Sequence, residues 1–312
     1  MSVSLMISSL LLGSSAALPA LTALPDEPYS AEPSEAVAMV LSRTGSQSPD
    51  QMVVELDELA AEGDDSALEL LGELHSFGLL GVARDTRRGC DYFARLEGRS
   101  PIGLHNLARC HETGDGAAQD LARARELYHR AAAAGFLQSF CAYGNMLIAG
   151  QGGEQQVEEG LRLCRMSAIA GDANAQTDYG IQLLIGELTE RDPVTARFMF
   201  EQAIVQEQQN AAYLLAQIYQ KGDGVEASDE TALKWFEKAH QWGRPDAAFR
   251  IAQIHLRRGF SQDGDKTYIR KADLDRAIAW FEIAATSDPD PAQRATARDM
   301  VENARTLIEA AQ

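Results

Sequence analysis

Residues 103–135 read GLHNLARCHETGDGAAQDLARARELYHRAAAAG. Gly103, Leu107 and Ala108 fall at helical spacing. A Gly-Asp-Gly turn follows, and Asp120 is a good N-cap for a second amphipathic helix, which a glycine ends. The stretch therefore predicts two antiparallel helices joined by a tight turn.

This unit recurs along the chain with a period of 36 residues. One column of small residues at that spacing comprises Gly72, Ala108, Gly144, Gly180, Ala216 and Ala252. A second column, five residues earlier, comprises Ala67, Gly103, Ser139, Ala175, Ala211 and Ala247. Such self-similarity indicates a solenoid, in which small residues let helices approach and bulky pairs such as Trp235-Phe236 fill the space between them. We predict an all-α fold, an α-solenoid superhelix of antiparallel helix pairs.

The unit over 211–239 also resembles a known family. The residues that carry the resemblance are Ala211, Leu215-Ala216, Tyr219, Gly222-Asp223-Gly224-Val225, Ala232, Trp235-Phe236 and Ala239. They are similar to the Sel1-like repeat, a relative of the tetratricopeptide repeat, and six units between 66 and 285 follow the pattern. Two departures are Leu163-Cys164 in place of the aromatic pair and an insertion over 261–271. The resemblance implies a non-catalytic protein-binding scaffold.

The regions outside the repeats suggest an exported chain with capped ends. Residues 1–23 carry no charge and contain an apolar run followed by small residues, which is typical of a secretory signal peptide; an uncleaved anchor or a short buried helix is the alternative. Residues 24–35 form an acidic, Pro-rich linker that we expect to be mobile. Residues 36–65 and 286–312 predict a helical cap or eroded repeat and a C-terminal capping helix. We expect a periplasmic or secreted protein.

Charge argues against several partners. The 312 residues include 28 Lys and Arg against 46 Asp and Glu, a formal charge of −18. Such a surface repels phosphate backbones and anionic membranes, so nucleic acid is not an expected partner. After residue 23 no stretch is long and apolar enough to span a bilayer, so no integral membrane segment is expected after signal cleavage.

In an oxidising compartment, the four cysteines allow two disulfides. Cys90 and Cys110 fall on consecutive helices, nearly opposite each other about the turn between them, and Cys141 and Cys164 do the same one unit later. Helix geometry therefore favours the disulfides Cys90–Cys110 and Cys141–Cys164 over the other connectivities. The alternative is four buried thiols that act as small hydrophobic residues.

No constellation of catalytic, metal-binding or cofactor-binding residues is found. The cysteine spacing does not match zinc sites, the glycines are not part of a phosphate loop, and no nucleophile elbow occurs. His75, His111 and His255 occupy the helix column in which Tyr219 stands, so a packing role is expected for them. We predict no enzyme activity, no cofactor and no metal.

A groove along the first helices is the predicted binding site. If the chain copies tetratricopeptide-like solenoids, the third, seventh and tenth positions of each first helix face the concave side. This first-helix stripe mixes amides, aromatic rings and aliphatic groups, which suits an extended peptide; an ordinary solvated surface is the alternative. The predicted groove residues are His105, Arg109, Asn145, Ile181, Tyr213, Gln217, Phe249 and Gln253.

Two functions from different classes follow from these observations. The first is an exported, non-catalytic adaptor that binds a protein or peptide along the concave face. The alternative is a carbohydrate-binding or hydrolytic-accessory protein associated with the cell wall. A membrane-tethered regulator is a third possibility if residues 1–23 are retained.

Overall fold

The computed structural model describes residues 20–24, 29, 32–263 and 266–310. Most of the predicted signal peptide and part of the predicted linker therefore lie outside the described residues. The chain divides into two compact units, the first ending at Gln156 and the second beginning at Val157. Each unit is described by itself.

The first unit is a series of helices, each packed against the next along the chain. They are α1 (Glu35–Ser42), α2 (Pro49–Ala61), α3 (Asp65–Phe77), α4 (Thr86–Arg95), α5 (Pro101–Thr113), α6 (Leu121–Ala133) and α7 (Leu137–Ala149). A short 3-10 turn, Leu79–Gly81, lies between α3 and α4. The antiparallel pairs predicted from the 36-residue period are α3–α4 and α5–α6.

The second unit continues the same pattern and adds a hairpin. Its helices are α8 (Val157–Ile169), α9 (Ala173–Ile185), α10 (Pro193–Ile204), α11 (Gln209–Lys221), α12 (Asp229–Gln241), α13 (Ala247–Gly259), α14 (Lys271–Ser287) and α15 (Pro291–Ala310). Two antiparallel strands, β1 (Phe260–Asp263) and β2 (Lys266–Ile269), stand in the predicted insertion of the sixth repeat. The helical repeat pattern gave no signal for these strands.

Side-chain caps fix where most helices begin. The Asp120 carboxylate accepts a hydrogen bond from the Arg123 amide at 2.9 Å, and Asp85 does the same for Arg88 at 3.0 Å. Asp273 has a different role, because it does not precede its helix. It lies in the first turn of α14, buried, with Oδ1 3.5 Å from His255 Nδ1.

The first helices of five repeats end in the same way. Each stops at a glycine in the left-handed region, which closes the helix at little steric cost. These glycines are Gly78, Gly114, Gly150, Gly186 and Gly222, with φ angles between 68° and 75°. They stand 36 residues apart, so the turn geometry repeats with the sequence.

Both predicted columns of small residues are buried. Two glycines show why the positions require small side chains. A Cβ added at Gly72 would lie 2.3 Å from the Phe93 ring, and one at Gly180 would lie 2.6 Å from the Phe200 ring. Phe93 and Phe200 are themselves completely buried. The missing side chains at Gly72 and Gly180 therefore leave the space that the aromatic ring of the paired helix fills.

The final helix packs against the last hairpin. Ala297 and Val301 of α15 join Phe249 and Phe281 in one core cluster. The predicted capping helix thus covers apolar side chains that the sixth repeat presents. Within the described ranges, no helix is both long enough and apolar enough to cross a membrane.

Candidate peptide-binding face

The first-helix stripe extends into the first repeat, where the same 36-residue register selects Glu69, Glu73 and Ser76 of α3. The equivalent positions of α5 are His105, Arg109 and Glu112. All except the buried Ser76 are half-buried, so this part of the stripe is accessible but not fully solvated. We call the surface formed by α3, α5 and the residues that contact their stripe positions the α3–α5 face.

His105 is held in an aromatic cluster. Its ring meets those of Tyr128 and Phe136 edge-on, each at a centroid distance of 5.1 Å. Its Nδ1 lies 2.8 Å from the Ser139 hydroxyl. Desolvation, with the nearby charge of Arg109, lowers the pKa of His105 to about 3. The imidazole is therefore neutral at physiological pH and serves as a packing and hydrogen-bonding group.

This environment predicts a pH effect on stability. The folded state keeps His105 neutral down to about pH 3, whereas in the unfolded chain it takes a proton below its ordinary pKa of 6.5. Stability is therefore lost as the pH falls from 6.5 towards 3, and it is unaffected by His105 above that window. We expect His105→Gln to lose less stability than the wild type over this range in urea unfolding measured at a series of pH values.

The matched control is His111→Gln, which removes a histidine from the same helix. The test compares the pH profiles of unfolding free energy of the wild type, His105→Gln and His111→Gln with one another. Carboxylates elsewhere contribute equally to all three profiles, so only the differences between them report on the histidines. Parallel pH profiles for the wild type and His105→Gln would contradict the assigned environment.

Tyr128 and Glu112 close one side of this cluster. The Tyr128 hydroxyl donates a hydrogen bond to Glu112 Oε2 at 2.7 Å. Burial raises the pKa of Tyr128, and the adjacent Glu112 carboxylate raises it further. The phenol therefore stays protonated and fixes Glu112 against the second helix of its own repeat.

The other groups of the face are acidic or basic and partly desolvated. Arg109 lies with its guanidinium 4.5 Å from the centre of the exposed Phe77 ring. Burial raises the pKa of Glu73, and the charge of Arg109 opposes that shift. Burial likewise raises the pKa of Glu69, while a hydrogen bond from Ser100 lowers it. Ser100 also caps α5 by accepting from the Gly103 amide at 3.1 Å.

Tyr29, from the segment predicted to be a mobile linker, lies on this face. Its backbone N–H donates to the Gly135 carbonyl at 2.9 Å. Its ring meets Phe136 edge-on at 6.4 Å. Burial raises the pKa of its hydroxyl, and the charge of Glu69 raises it further. Tyr29 is thus held by one main-chain hydrogen bond and one aromatic contact, both at the turn between α6 and α7.

A cavity lies beside the disulfide that joins α4 and α5. Cys90 and Cys110 are bonded, with their Cα atoms 6.1 Å apart, in the pairing that helix geometry favours. A cavity of about 400 Å³ lies next to them, bordered by Arg109 and by the ion pair of Arg84 with Asp115 at 2.6 Å. Cys141 and Cys164 are both buried, and their pairing with each other stays a prediction.

A family model for the Sel1 repeat matches six segments of the chain. The segments are 65–96, 101–136, 141–172, 173–204, 209–239 and 245–289, which together make up more than half of the residues. The chain belongs to the Sel1 repeat family. The predicted family and number of repeats are confirmed, as is the prediction of an all-helical repeat fold built from helix pairs. Sel1 repeats generally form protein–protein interaction scaffolds and non-catalytic adaptors.

Solved structures share this Sel1 fold. A Sel1 repeat protein from Oxalobacter formigenes is 21% identical, with a TM-score of 0.60; the match covers 82% of this chain and 99% of that one. A protective antigen present in uropathogenic Escherichia coli strains, displaying an SLR fold, is 23% identical, with a TM-score of 0.53. That match covers 80% of this chain and 52% of the antigen, so the chain spans about half the antigen's length.

Yeast Tom70 is a more distant neighbour, 12% identical with a TM-score of 0.53; 88% of this chain and 54% of that chain are covered. At these identities the likeness concerns the fold alone. A comparison with curated proteins finds no match.

The predicted groove residues of this Sel1 protein fall into two groups. Tyr213 and Phe249 are buried in core clusters, where their rings meet Phe236 at 5.2 Å and Phe281 at 5.4 Å. We therefore assign these two rings to packing and not to a ligand. The remaining predicted residues are half-buried or exposed: His105, Arg109, Asn145, Ile181, Gln217 and Gln253.

Two arginine side chains nevertheless contact Tyr213 at the border of the stripe. The Arg244 guanidinium lies 4.1 Å from the centre of its ring, and Arg250 Nε donates to its hydroxyl at 3.0 Å. Arg250 also reaches Gln253 Oε1 at 3.3 Å. A charged edge therefore borders the exposed Gln253 in the second unit.

Histidines follow the packing role expected from the Sel1 pattern. His75 is buried and stacks on Tyr92 at 5.8 Å, and His255 is buried beside Asp273. His111 is half-buried, with Nδ1 3.1 Å from the Ala118 carbonyl. Over the residues that the structure describes, no group of three or more His, Cys, Asp or Glu side chains is placed to hold a metal ion.

Tyr29, Phe136, Ser100 and Glu69 were not among the predicted site residues. Glu69 had a detectable signal, because it stands 36 positions before His105 in the same column. Ser100 and Phe136 stand at the starts of helices, outside the first-helix stripe, and Tyr29 stands in a segment without periodicity.

Proposed function

We propose that the chain is an exported, non-catalytic adaptor that binds a segment of another protein along the first-helix stripe. The proposal rests on the observation that each first helix has two sets of positions with different exposure. One set of positions, the two small columns, is buried against neighbouring helices. The stripe positions Arg109, Ile181, Gln217 and Gln253 remain half-buried or exposed.

The chemistry of these stripe positions supports a peptide ligand. Amide side chains donate and accept hydrogen bonds and suit the backbone of an extended segment, while aliphatic side chains offer apolar contact. The family is generally one of interaction scaffolds, which supports the same class of function. Export is supported by the sequence of residues 1–23 and is tested by sequencing the N-terminus of the protein recovered from the cell envelope.

Site-specific photo-cross-linking tests where the partner binds. A photoreactive residue at Gln253 or Gln217, on first helices, is expected to capture one defined protein from an envelope extract. The matched control is Lys234, an exposed residue of the second helix α12. Absence of an adduct at the stripe positions, or equal adducts at Lys234, would overturn the proposal. Cosedimentation of the same protein with peptidoglycan tests the cell-wall alternative.

A further inference from the structure

We propose that an exposed apolar face of α10 binds the same face of a second copy of this chain, with the two helices antiparallel about a two-fold axis. This α10 face consists of Val194 and Phe198, together with Val205, the residue that follows the helix and keeps a helical conformation. The inference does not depend on the proposed function, because α10 is the second helix of its repeat and the first-helix stripe takes no part in the contact.

The α10 face is exposed although the opposite side of the same helix is already buried. Ala196 and Phe200, on the inner side, are completely buried. On the outer side, Val194 is 55% exposed, Phe198 is 51% exposed and Val205 is 80% exposed. A helix that is apolar on both sides is typically covered on both sides. The α10 face therefore has the character of a surface that another protein covers.

Packing within the repeat does not require apolar residues at these positions. In the 36-residue register, Val194 and Phe198 correspond to Glu230 and Lys234 of α12. Those two residues form an ion pair at 3.3 Å, and their side chains are 78% and 70% exposed. The repeat thus accepts fully solvated charges here, so the valine and phenylalanine of α10 contribute to something other than the fold.

The spacing of the α10 face matches itself in an antiparallel arrangement. Val194 and Val205 are 11 residues apart, about three helical turns, so they lie on one side of the helix. Their midpoint falls next to Met199, and a second copy centred there places each Val194 opposite the Val205 of the other chain. The two Phe198 rings then lie within about one helical turn of each other beside the axis. The contact is isologous, as in most two-fold dimers.

Charge complementarity favours a second copy as the occupant. Arg197 and Glu201 lie beside the α10 face and form an ion pair at 2.5 Å within the helix. They too are centred on Met199, so the antiparallel copy brings each Arg197 to the Glu201 of the other chain. The four charges alternate in sign around the axis, which makes a network and not an isolated surface pair.

The contact is also locally neutral. Arg197 and Glu201 are the charged residues of α10, one of each sign. Each chain carries a formal charge of −18, so two copies repel each other over most of their surface. Approach through a neutral helix with an apolar face avoids the strongest part of that repulsion.

Weak association is expected, because one helix from each copy forms a small contact. Its area falls below the roughly 1,200 Å² of stable interfaces, so we expect a dissociation constant of about 100 µM. The protein is therefore monomeric at low micromolar concentration, where the Phe198 ring stays exposed.

Sedimentation equilibrium of the purified protein from about 10 to about 500 µM tests this inference. The wild type is expected to show a monomer–dimer equilibrium. Phe198→Glu places two carboxylates beside the axis and is expected to weaken association at least about tenfold. Val54→Glu is the matched control, since Val54 is an apolar residue of α2 that is 56% exposed, and it is expected to leave the dissociation constant unchanged. Circular dichroism verifies folding, and Val194→Glu replaces Phe198→Glu if that variant does not fold.

An exchange of charges tests the antiparallel arrangement. Arg197→Glu and Glu201→Arg each bring like charges together across the axis, so each is expected to weaken self-association about tenfold. An equimolar mixture of the two variants is expected to dimerise within about threefold of the wild type, because the introduced carboxylate of one chain then meets the introduced guanidinium of the other. An ion pair that acts only within its own helix gives no such rescue.

Three results would overturn the inference. The first is a wild type that stays monomeric up to about 500 µM, which would leave the α10 face to a different protein. The second is equal weakening by Phe198→Glu and Val54→Glu, which would place the contact elsewhere. The third is a mixture of Arg197→Glu and Glu201→Arg that associates no better than either variant alone.

Discussion

Phe93→Ala is expected to lower the free energy of unfolding by about 4 kcal/mol, the cost of a cavity at a fully buried aromatic position. Phe93 is completely buried, and its ring fills the space that the absent side chain of Gly72 leaves open. Urea unfolding followed by circular dichroism measures the loss. Phe198→Ala, at a ring that is 51% exposed, is the matched control and is expected to change stability by less than about 0.5 kcal/mol.

The partner position provides a second arm of the same test. Gly72→Ala places a methyl group into the Phe93 ring and is expected to cost about 2 kcal/mol, because a packed core does not absorb the added volume. Gly45→Ala is its control, since nothing lies within 4 Å of a Cβ there. Combining Gly72→Ala with Phe93→Leu is expected to cost less than the sum of the two single changes. Strict additivity would contradict direct contact between the two positions.

Removing the disulfide is expected to cost about 3 kcal/mol. The bond joins Cys90 and Cys110, which are 20 residues apart, and a loop of this length restricts the unfolded chain by about that amount. The double variant Cys90→Ala/Cys110→Ala is therefore expected to unfold at lower urea than the oxidised wild type.

Adding a reductant to both proteins completes this test. The wild type is expected to lose stability on reduction, because its disulfide opens. Any further loss in the double variant is then due to Cys141 and Cys164, so the same experiment tests their predicted pairing. An unchanged urea midpoint for the oxidised double variant would contradict a stabilising role for the Cys90–Cys110 bond.

The repeat architecture was predictable because the residues that determine the fold recur in the sequence every 36 positions. Gly72 and Gly180 stand in a column at which any larger side chain meets the ring of the paired helix, so the 36-residue period marks backbone contacts directly. Asp85 and Asp120 were predictable N-caps for a similarly local reason, since the carboxylate bonds to an amide three residues away. Local and periodic features of this kind are visible in one sequence.

The binding face was only partly predictable. Helical register gives the direction in which Tyr213 and Phe249 leave their helices, but not how deeply the neighbouring helix covers them, and both are buried. Tyr29 binds through a turn carbonyl and a phenylalanine more than 100 positions away in a segment without periodicity. The hairpin of β1 and β2 stands in an insertion that interrupts the period, so no column predicts it. Contacts that occur once in the chain leave no repeated signal.

The five left-handed glycines have a consequence for how such a chain changes length. Because Gly186 and Gly222 end their helices with nearly the same backbone angles, the segment between them can be excised or duplicated as one cassette and the new junction keeps the geometry of the old. A deletion within a helix, by contrast, would rotate the rest of that helix about its axis and turn its small residues away from the neighbouring helices. Recombination between equivalent glycines therefore offers a route, in evolution or in the laboratory, to proteins with fewer or more repeats.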